Sequence, residues 1–432
     1  MLGQVASAAE LSPVSTVIPA GSTEIPGQTD DWICTVNGTD KAKDAGVKLS
    51  YNGKNISTGK TPLILYKGEY LVAFEALFHK KGPKVDYEFN ELAEHVKLVY
   101  QNHVVTFFLG DNYLYGTGKK MNLNQKIVNG FYKGSDKIYY FVPLTALCQA
   151  LGFNYTWDLQ HKKCVIKGKK VTFPGSKTYT KYAYSRTAFA KKEYQRVRRI
   201  SYRKYLNLVT QSKDTTTAFK YLRVDRYREV DQKKFTEYYQ YLIRDYCRQA
   251  GISVKKSSLY GKASVFLKAA KKYQLDPIYL VNQTFLESAY GTSELASGKR
   301  IKRVANRSYS TTRSGKFKTH KLKKAVKVYN LYGIKAYDAD PVVGGTSYAY
   351  YHHWTTPTKA IYGAAAYLKS NYIQGNYHQN TVFKIRYTFR RNLWHQYATD
   401  PYYAEKIGLR MYLMSSCYAS HTKFLYDYPK YR

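Results

Sequence analysis

Acidic residues are scarce in this chain of 432 residues. Thirty Asp and Glu stand against 69 Lys and Arg, for a formal net charge of +39. A field of that sign gathers polyanions at the surface. Nucleic acid, anionic membrane and anionic cell-wall polymer are the classes it admits. The first lacks support, because there is no zinc-finger spacing, no aromatic ribonucleoprotein signature and no basic zipper. Long apolar runs are missing too. None reaches 18 residues, so no transmembrane helix is encoded. Cysteine is sparse. Cys34, Cys148, Cys164, Cys247 and Cys417 are scattered, odd in number and never spaced C-x-x-C, which argues against zinc and redox motifs and against a disulfide scaffold. Cys148, on an expected helix, and Cys164, on the following strand, form a candidate pair.

What the chain has in excess is tyrosine, 47 residues against 4 Trp. Two explanations are open. The rings stack on sugars or other flat polymers from amphipathic surfaces, or Tyr replaces Phe at half-buried positions.

The length allows two or three domains. Residues 1–29, "MLGQVASAAELSPVSTVIPAGSTEIPGQT", lack the basic and apolar regions of a full secretory signal. The small residues "VASAAE" read as the remnant of one, followed by a Ser/Thr/Pro-rich linker. Residues 30–170 alternate short apolar runs with turns and are expected to be an α+β domain of short strands and helices. "TPLILYKGEYLVAFEALFHKKG" reads as a strand, a turn at Lys67-Gly68 and a helix-like run. "DKIYYFVPLTALCQALGFNYTWDLQHKKCVIKG" repeats the plan, which suggests an internal repeat. Residues 171–216 are expected to be a basic linker. They lie mostly within 167–204, which carries 13 Lys or Arg and one acid, Glu193. Two uses are open for this stretch, a solvated linker or an electrostatic anchor on a polyanion.

Residues 217–432 read as mainly α. "DQKKFTEYYQYLIRDYCRQAG" has apolar residues at helical spacing and a stop at Gly251. "KASVFLKAAKKYQL" is a second helix. Pro277 suits the first turn of a third, "PIYLVNQTFLESAY", since its missing donor costs nothing there. This third helix is apolar almost all round and should be buried. Glu287 sits near its end. Burial and the negative end of the helix dipole both raise a carboxyl pKa, which suits a general acid. An ion pair with a nearby base is the structural alternative.

The stretches 141–158, "FVPLTALCQALGFNYTWD", and 164–168, "CVIKG", resemble the copper amine oxidase N-terminal-like domain of bacterial surface proteins. The resemblance implies an adhesive or spacing module. No copper or other metal is expected, because Cys and His show no ligand spacing.

The second resemblance covers the last 215 residues or so. "AAKKYQLDPIYLVNQTFLESAYGTSELASG", "VYNLYGIKAYDADP", "YAYYHHWTTPTKAIYGAAAYLKSNYI" and "HQYATDPYYAEKI" are similar, in order, to motifs of the bacterial autolysin glucosaminidases of glycoside hydrolase family 73. "LRVDRYREVD" resembles the lead-in. This implies a lysozyme-like helical fold with a two-lobed cleft. It implies a secreted or wall-bound enzyme that cuts the β-1,4 bond on the reducing side of N-acetylglucosamine in peptidoglycan, without a cofactor. It places the general acid at Glu287, a cleft-facing tyrosine at Tyr397, and the cleft wall at Tyr332, Gly333 and Ile334. Tyr290 and Trp354 join these as expected substrate contacts.

One departure stands out. Many relatives carry a second acid on a hairpin after the catalytic helix, but residues 299–327 hold 12 Lys or Arg and no acid. Two-carboxylate glycosidases need the second group about 5 to 9.5 Å away. Asp338 is the candidate, and assistance from the substrate's own N-acetyl group, steadied by Tyr397, is the alternative. Glu294 reads as a helix-surface residue. The basic insert is either a solvated hairpin or a binder of stem-peptide carboxylates or teichoic phosphates. Two other functions compete: a lytic transglycosylase or muramidase, and a non-catalytic wall-binding protein.

Overall fold

The computed structural model describes residues 32–56, 63–78, 81–158, 160–211, 215–338 and 340–432. The expected signal remnant and linker at 1–29 lie outside them. The chain divides into two compact units, one ending at Val171 and the other running Thr172–Arg432.

The first unit is rich in strands. Trp32–Val36, Val128–Tyr132, Tyr139–Pro143, Glu69–Ala73, Leu63–Tyr66 and Asp40–Asp44 close into a barrel in that order. A five-stranded antiparallel sheet spans Asp86–Asn122, and a four-stranded sheet joins Asn154–Asp158 and Lys163–Lys167 to the hairpin at 48–55. Only two short α-helices occur among its described residues, α1 (Phe74–Leu77) and α2 (Leu144–Ala150). The helix-like run after Lys67-Gly68 is mostly strand, because Glu69–Ala73 pairs on both sides in the barrel. The two similar stretches meet there. Phe141 faces Ala73 and Pro143 faces Leu71, and each strand runs straight into its own short helix. Cys148 and Cys164 are fully buried free thiols. Burial pushes the Cys164 thiol up to about 12.

The second unit starts with residues expected to be a linker, and the structure corrects that expectation. Gly175–Lys181 forms a strand parallel to the C-terminal strand Phe424–Lys430. Two helices follow, α3 (Arg186–Arg196) and α4 (Tyr202–Val209), capped by the Ser185 and Ser201 hydroxyls. The one acid within 167–204 ties this segment to the core. Glu193 is fully buried and pairs at 3.0 Å with the equally buried Arg386.

The helices read from sequence follow. After α5 (Thr215–Ala218) come α6 (Gln232–Gln249), α7 (Ala263–Tyr273) and α8 (Pro277–Ser288). Then the basic insert forms a two-stranded antiparallel hairpin, Lys299–Ala305 with Thr319–Val328. Helices α9 (Pro341–Tyr351), α10 (Pro357–Leu368), α11 (Val382–Arg386) and α12 (Tyr403–Leu413) complete the unit. Among the largest fully buried side chains are Tyr205, Tyr221, Tyr239, Tyr241, Tyr279, Tyr387, Tyr403 and Tyr412. Much of the tyrosine excess is therefore core. No helix among the described residues is long and apolar enough to cross a membrane.

Candidate active site

Helix α8 sets the position of Glu287. Its N-terminus is anchored by Asp276, whose carboxylate accepts from the backbone N–H groups of Ile278 and Tyr279, both at 3.0 Å. Asp276 is fully buried, and Arg228 at 2.8 Å and the Tyr418 hydroxyl at 2.9 Å satisfy it. Pro277 occupies the first turn. At the other end Ala289, Tyr290 and Gly291 all take positive φ, at 46°, 56° and 81°. Two non-glycine residues in that region form a costly turn. It reverses the chain directly after Glu287-Ser288. The turn is held by the Ser288 hydroxyl, which accepts from Gly291 N–H at 3.0 Å and donates to the Thr284 carbonyl at 2.6 Å.

Glu287 keeps a partly exposed edge, while Gln283, Thr284, Phe285 and Ser288 around it are buried. Gln283 Nε2 donates to Glu287 Oε1 at 3.2 Å. The Tyr397 hydroxyl also acts on the carboxyl and lowers its pKa. No ion pair reaches Glu287 among the described residues. Burial pushes its pKa up to about 7, and Tyr397 and Gln283 pull part of the way back. A carboxyl poised there holds a proton near neutral pH and can release it to a leaving-group oxygen.

A shell of uncharged side chains orients this pair. Gln283 accepts through Oε1 from the Tyr403 hydroxyl. Tyr397 stacks on Tyr403 at 5.5 Å between centroids. The Tyr332 and Thr284 hydroxyls lie 2.9 Å apart, one turn before Glu287. Tyr332, Gly333 and Ile334 share a loop stapled by the buried Asn330. Asn330 Nδ2 donates to the carbonyls of Ile334 and Gly345 at 2.9 Å, and its Oδ1 accepts from Ile334 N–H at 3.2 Å. Gly333 turns that loop at φ 60°.

The structure thus groups Glu287 with Tyr397 and Tyr332. Three other expectations fall elsewhere. Tyr290, expected to touch substrate, is 4% exposed, with its ring stacked against Phe285 and Tyr246. Trp354 is 5% exposed and lies so close over Gly363 of α10 that no β-carbon fits there. Both are packing residues, because α8 and α10 cover them. Asp338 lies exposed in the loop before α9, with no hydrogen bond or ion pair to Glu287. Glu294 is a surface residue as expected, but in a turn rather than a helix, paired with Lys299. Gln283 and Tyr403 were not singled out from sequence. Gln283 was within reach, since it sits four residues before Glu287 on one helix face.

Residues 263–415 match the family described as mannosyl-glycoprotein endo-beta-N-acetylglucosaminidase. The chain is similar to the beta-N-acetylglucosaminidase of Bacillus subtilis, 36% identical over 217 residues, covering 47% of this chain and 22% of that protein. It is similar to the bifunctional autolysin of Staphylococcus epidermidis, 36% identical over 145 residues, covering 34% of this chain and 10% of that one. The chain therefore spans less than a quarter of the length of either relative. The crystal structure of S. aureus glucosaminidase B superposes with a TM-score of 0.42 at 23% identity, over 61% of this chain and 97% of that one. The segment that matches the glucosaminidase family, residues 263–415, contains Glu287, Tyr332 and Tyr397.

Proposed function

We propose that this chain is a secreted or wall-bound peptidoglycan hydrolase, a glycosidase that cleaves the β-1,4 bond between N-acetylglucosamine and N-acetylmuramic acid during wall remodelling or cell separation. Glu287 is the general acid. Tyr397 orients it and faces the reacting sugar, and Tyr332, Gly333 and Ile334 line the wall of the binding cleft. The observation that carries this reading is the state of Glu287. In a chain with more than twice as many bases as acids, this carboxyl has no cation partner among the described residues and is held near neutral pKa by burial. The match of the surrounding segment, residues 263–415, to the glucosaminidase family supports it.

Asp338 fits the second carboxylate role poorly, since it is exposed and makes no contact with Glu287. Assistance from the substrate's N-acetyl group, with Tyr397 steadying it, accounts better for the carboxyl at hand. The basic hairpin meets stem-peptide carboxylates or teichoic phosphates of the wall. The N-terminal unit, with its resemblance to copper amine oxidase N-terminal-like domains, acts as a spacing or adhesive module.

Mass spectrometry of digested peptidoglycan tests the reading. New reducing ends on N-acetylglucosamine are expected from the wild type and none from Glu287→Gln. Reducing ends on N-acetylmuramic acid, or anhydro products, would make the chain a muramidase or lytic transglycosylase. A blank zymogram on cell walls would leave only wall binding.

A further inference from the structure

Beyond Tyr397, the rings continue away from Glu287 towards solvent. Tyr372 meets Tyr397 edge-on at 5.2 Å and lies 4.9 Å from His395. Tyr372 sits in a π-turn at Lys369–Ile373, an irregularity often found at functional sites. His395 is sandwiched, because Tyr377 stacks on it at 3.4 Å with planes only 4° apart. Trp394 stands at right angles to this stack, 5.1 Å from His395 and 6.0 Å from Tyr377. Its indole is 60% exposed.

A single exposed tryptophan is unremarkable by itself. This one is fixed from below. Its neighbour Leu393 is buried, and its backbone N–H donates to the Asn392 side-chain carbonyl at 3.1 Å. The fully buried Gln379 donates to the carbonyls of Lys384 and His395, at 2.8 and 2.9 Å. Carbonyls only accept, so the other end of that amide, Oε1, is the atom 2.8 Å from His395 Nδ1. Burial holds the His395 pKa below the ordinary imidazole value, so the neutral ring carries its proton on Nδ1 and Nε2 is a lone-pair acceptor. The result is a corner with an apolar wall and one fixed acceptor. A pyranose ring has the matching chemistry: a C–H face for the indole and hydroxyl or amide donors for the imidazole.

We propose that Trp394, His395 and Tyr377 form a stacking subsite for a glycan ring remote from the bond that is cleaved. The ligand class is a β-linked chain of N-acetylated hexosamines. The subsite rests on the hydrolase reading for its role in turnover, but its binding can be tested separately. Strands long enough to reach the corner gain affinity from it, while short fragments do not.

Two measurements on the full chain test this. The first compares Trp394→Ala with wild type on long, peptide-free peptidoglycan strands and on the shortest fragment still cleaved. KM for long strands should rise about 5- to 10-fold, the value of one lost ring contact. The turnover number, the short-fragment kinetics and the melting temperature should hold, and Trp394→Phe should recover part of the loss. The second titrates chitotetraose into Glu287→Gln and follows tryptophan fluorescence. Quenching should disappear when Trp394→Phe is added to that background. Cleavage with no dependence on Trp394 in either measurement overturns the subsite and leaves the hydrolase standing. Trp394-dependent quenching without cleavage by wild type keeps the subsite and removes the hydrolase. No quenching at all removes the subsite.

Discussion

Two glutamates lie under the surface of the C-terminal unit, and their surroundings differ in one respect. Glu193 on α3 meets a buried guanidinium, Arg386, and an amide, Gln396 Nε2 at 2.5 Å. Glu287 on α8 meets an amide and a phenol and, among the described residues, no cation. A buried charge is tolerated when it is paired, and otherwise the group takes up a proton. The first arrangement builds a fold. The second keeps a carboxyl that holds a proton near neutral pH, as the proposed general acid requires. With 69 basic residues available, the absence of one beside Glu287 marks that carboxyl out.

The sharpest way to break this contrast is to exchange the carboxyl for an amide at Glu287. Glu287→Gln keeps shape and hydrogen bonding but has no proton to give, so hydrolysis should fall by roughly 10²- to 10⁴-fold. Circular dichroism should be unchanged. More than a tenth of wild-type rate in clean protein would contradict the assignment.

The matching change at the other glutamate should act on the fold. Glu193→Ala strands the buried Arg386 without its counter-charge, a defect worth about 3 to 5 kcal/mol. Denaturant midpoints measure it. An unchanged midpoint would show that the pair with Arg386 does not hold α3 in place.

The contrast can also be sharpened by pH. The Glu287 carboxyl is raised from an ordinary value near 4.5 to about 7 in the folded state. The folded protein therefore binds the proton more tightly than the unfolded chain. Its contribution to stability is complete below pH 4.5 and is lost as pH rises through 7. Glu287→Gln should match wild type near pH 4 and exceed it near pH 8, by no more than about 3 kcal/mol and less for its exposed edge. Wild-type kcat/KM should decline above pH 7 on the same limb. Equal stability curves for the two proteins would show that the carboxyl is not raised.

The smallest effect on the fold belongs to the other basic stretch. Lys321, Lys323 and Lys324 are exposed on the hairpin, and changing all three to Gln should shift stability by about 0.5 kcal/mol or less per site. Sedimentation with purified walls should nevertheless lose part of its salt dependence, since exposed charges are screened beyond about 8 Å at physiological ionic strength. A salt curve identical to wild type would end the polyanion reading of the hairpin.

These two basic stretches look alike as composition, 13 bases with one acid and 12 with none. One is woven into the core and the other forms an exposed hairpin. Counting charge could not separate them, because a single carboxylate placed opposite a distant arginine outweighs a dozen solvated lysines and arginines. Cys148 and Cys164 teach the same point: both are buried, yet they remain separate thiols.

Local order was legible wherever period, cap and breaker agreed. The helices α6, α7 and α8, the turn at Lys67-Gly68 and the stop at Gly251 follow from spacing and from Asp, Pro and Gly at their ends. The burial of α8, and with it the raised carboxyl at Glu287, follows from apolar residues on all its faces. What spacing cannot carry is contact between residues far apart in the chain. Glu193 finds Arg386 across 193 positions, Tyr403 finds Gln283 across 120, and Tyr290 and Trp354 turn inward because other helices lie over them. The sequence determined which helix would hold a carboxyl out of water. The tertiary structure alone decided that no cation would reach it, because the partner of a buried charge is chosen by packing between segments and not by its neighbours along the chain.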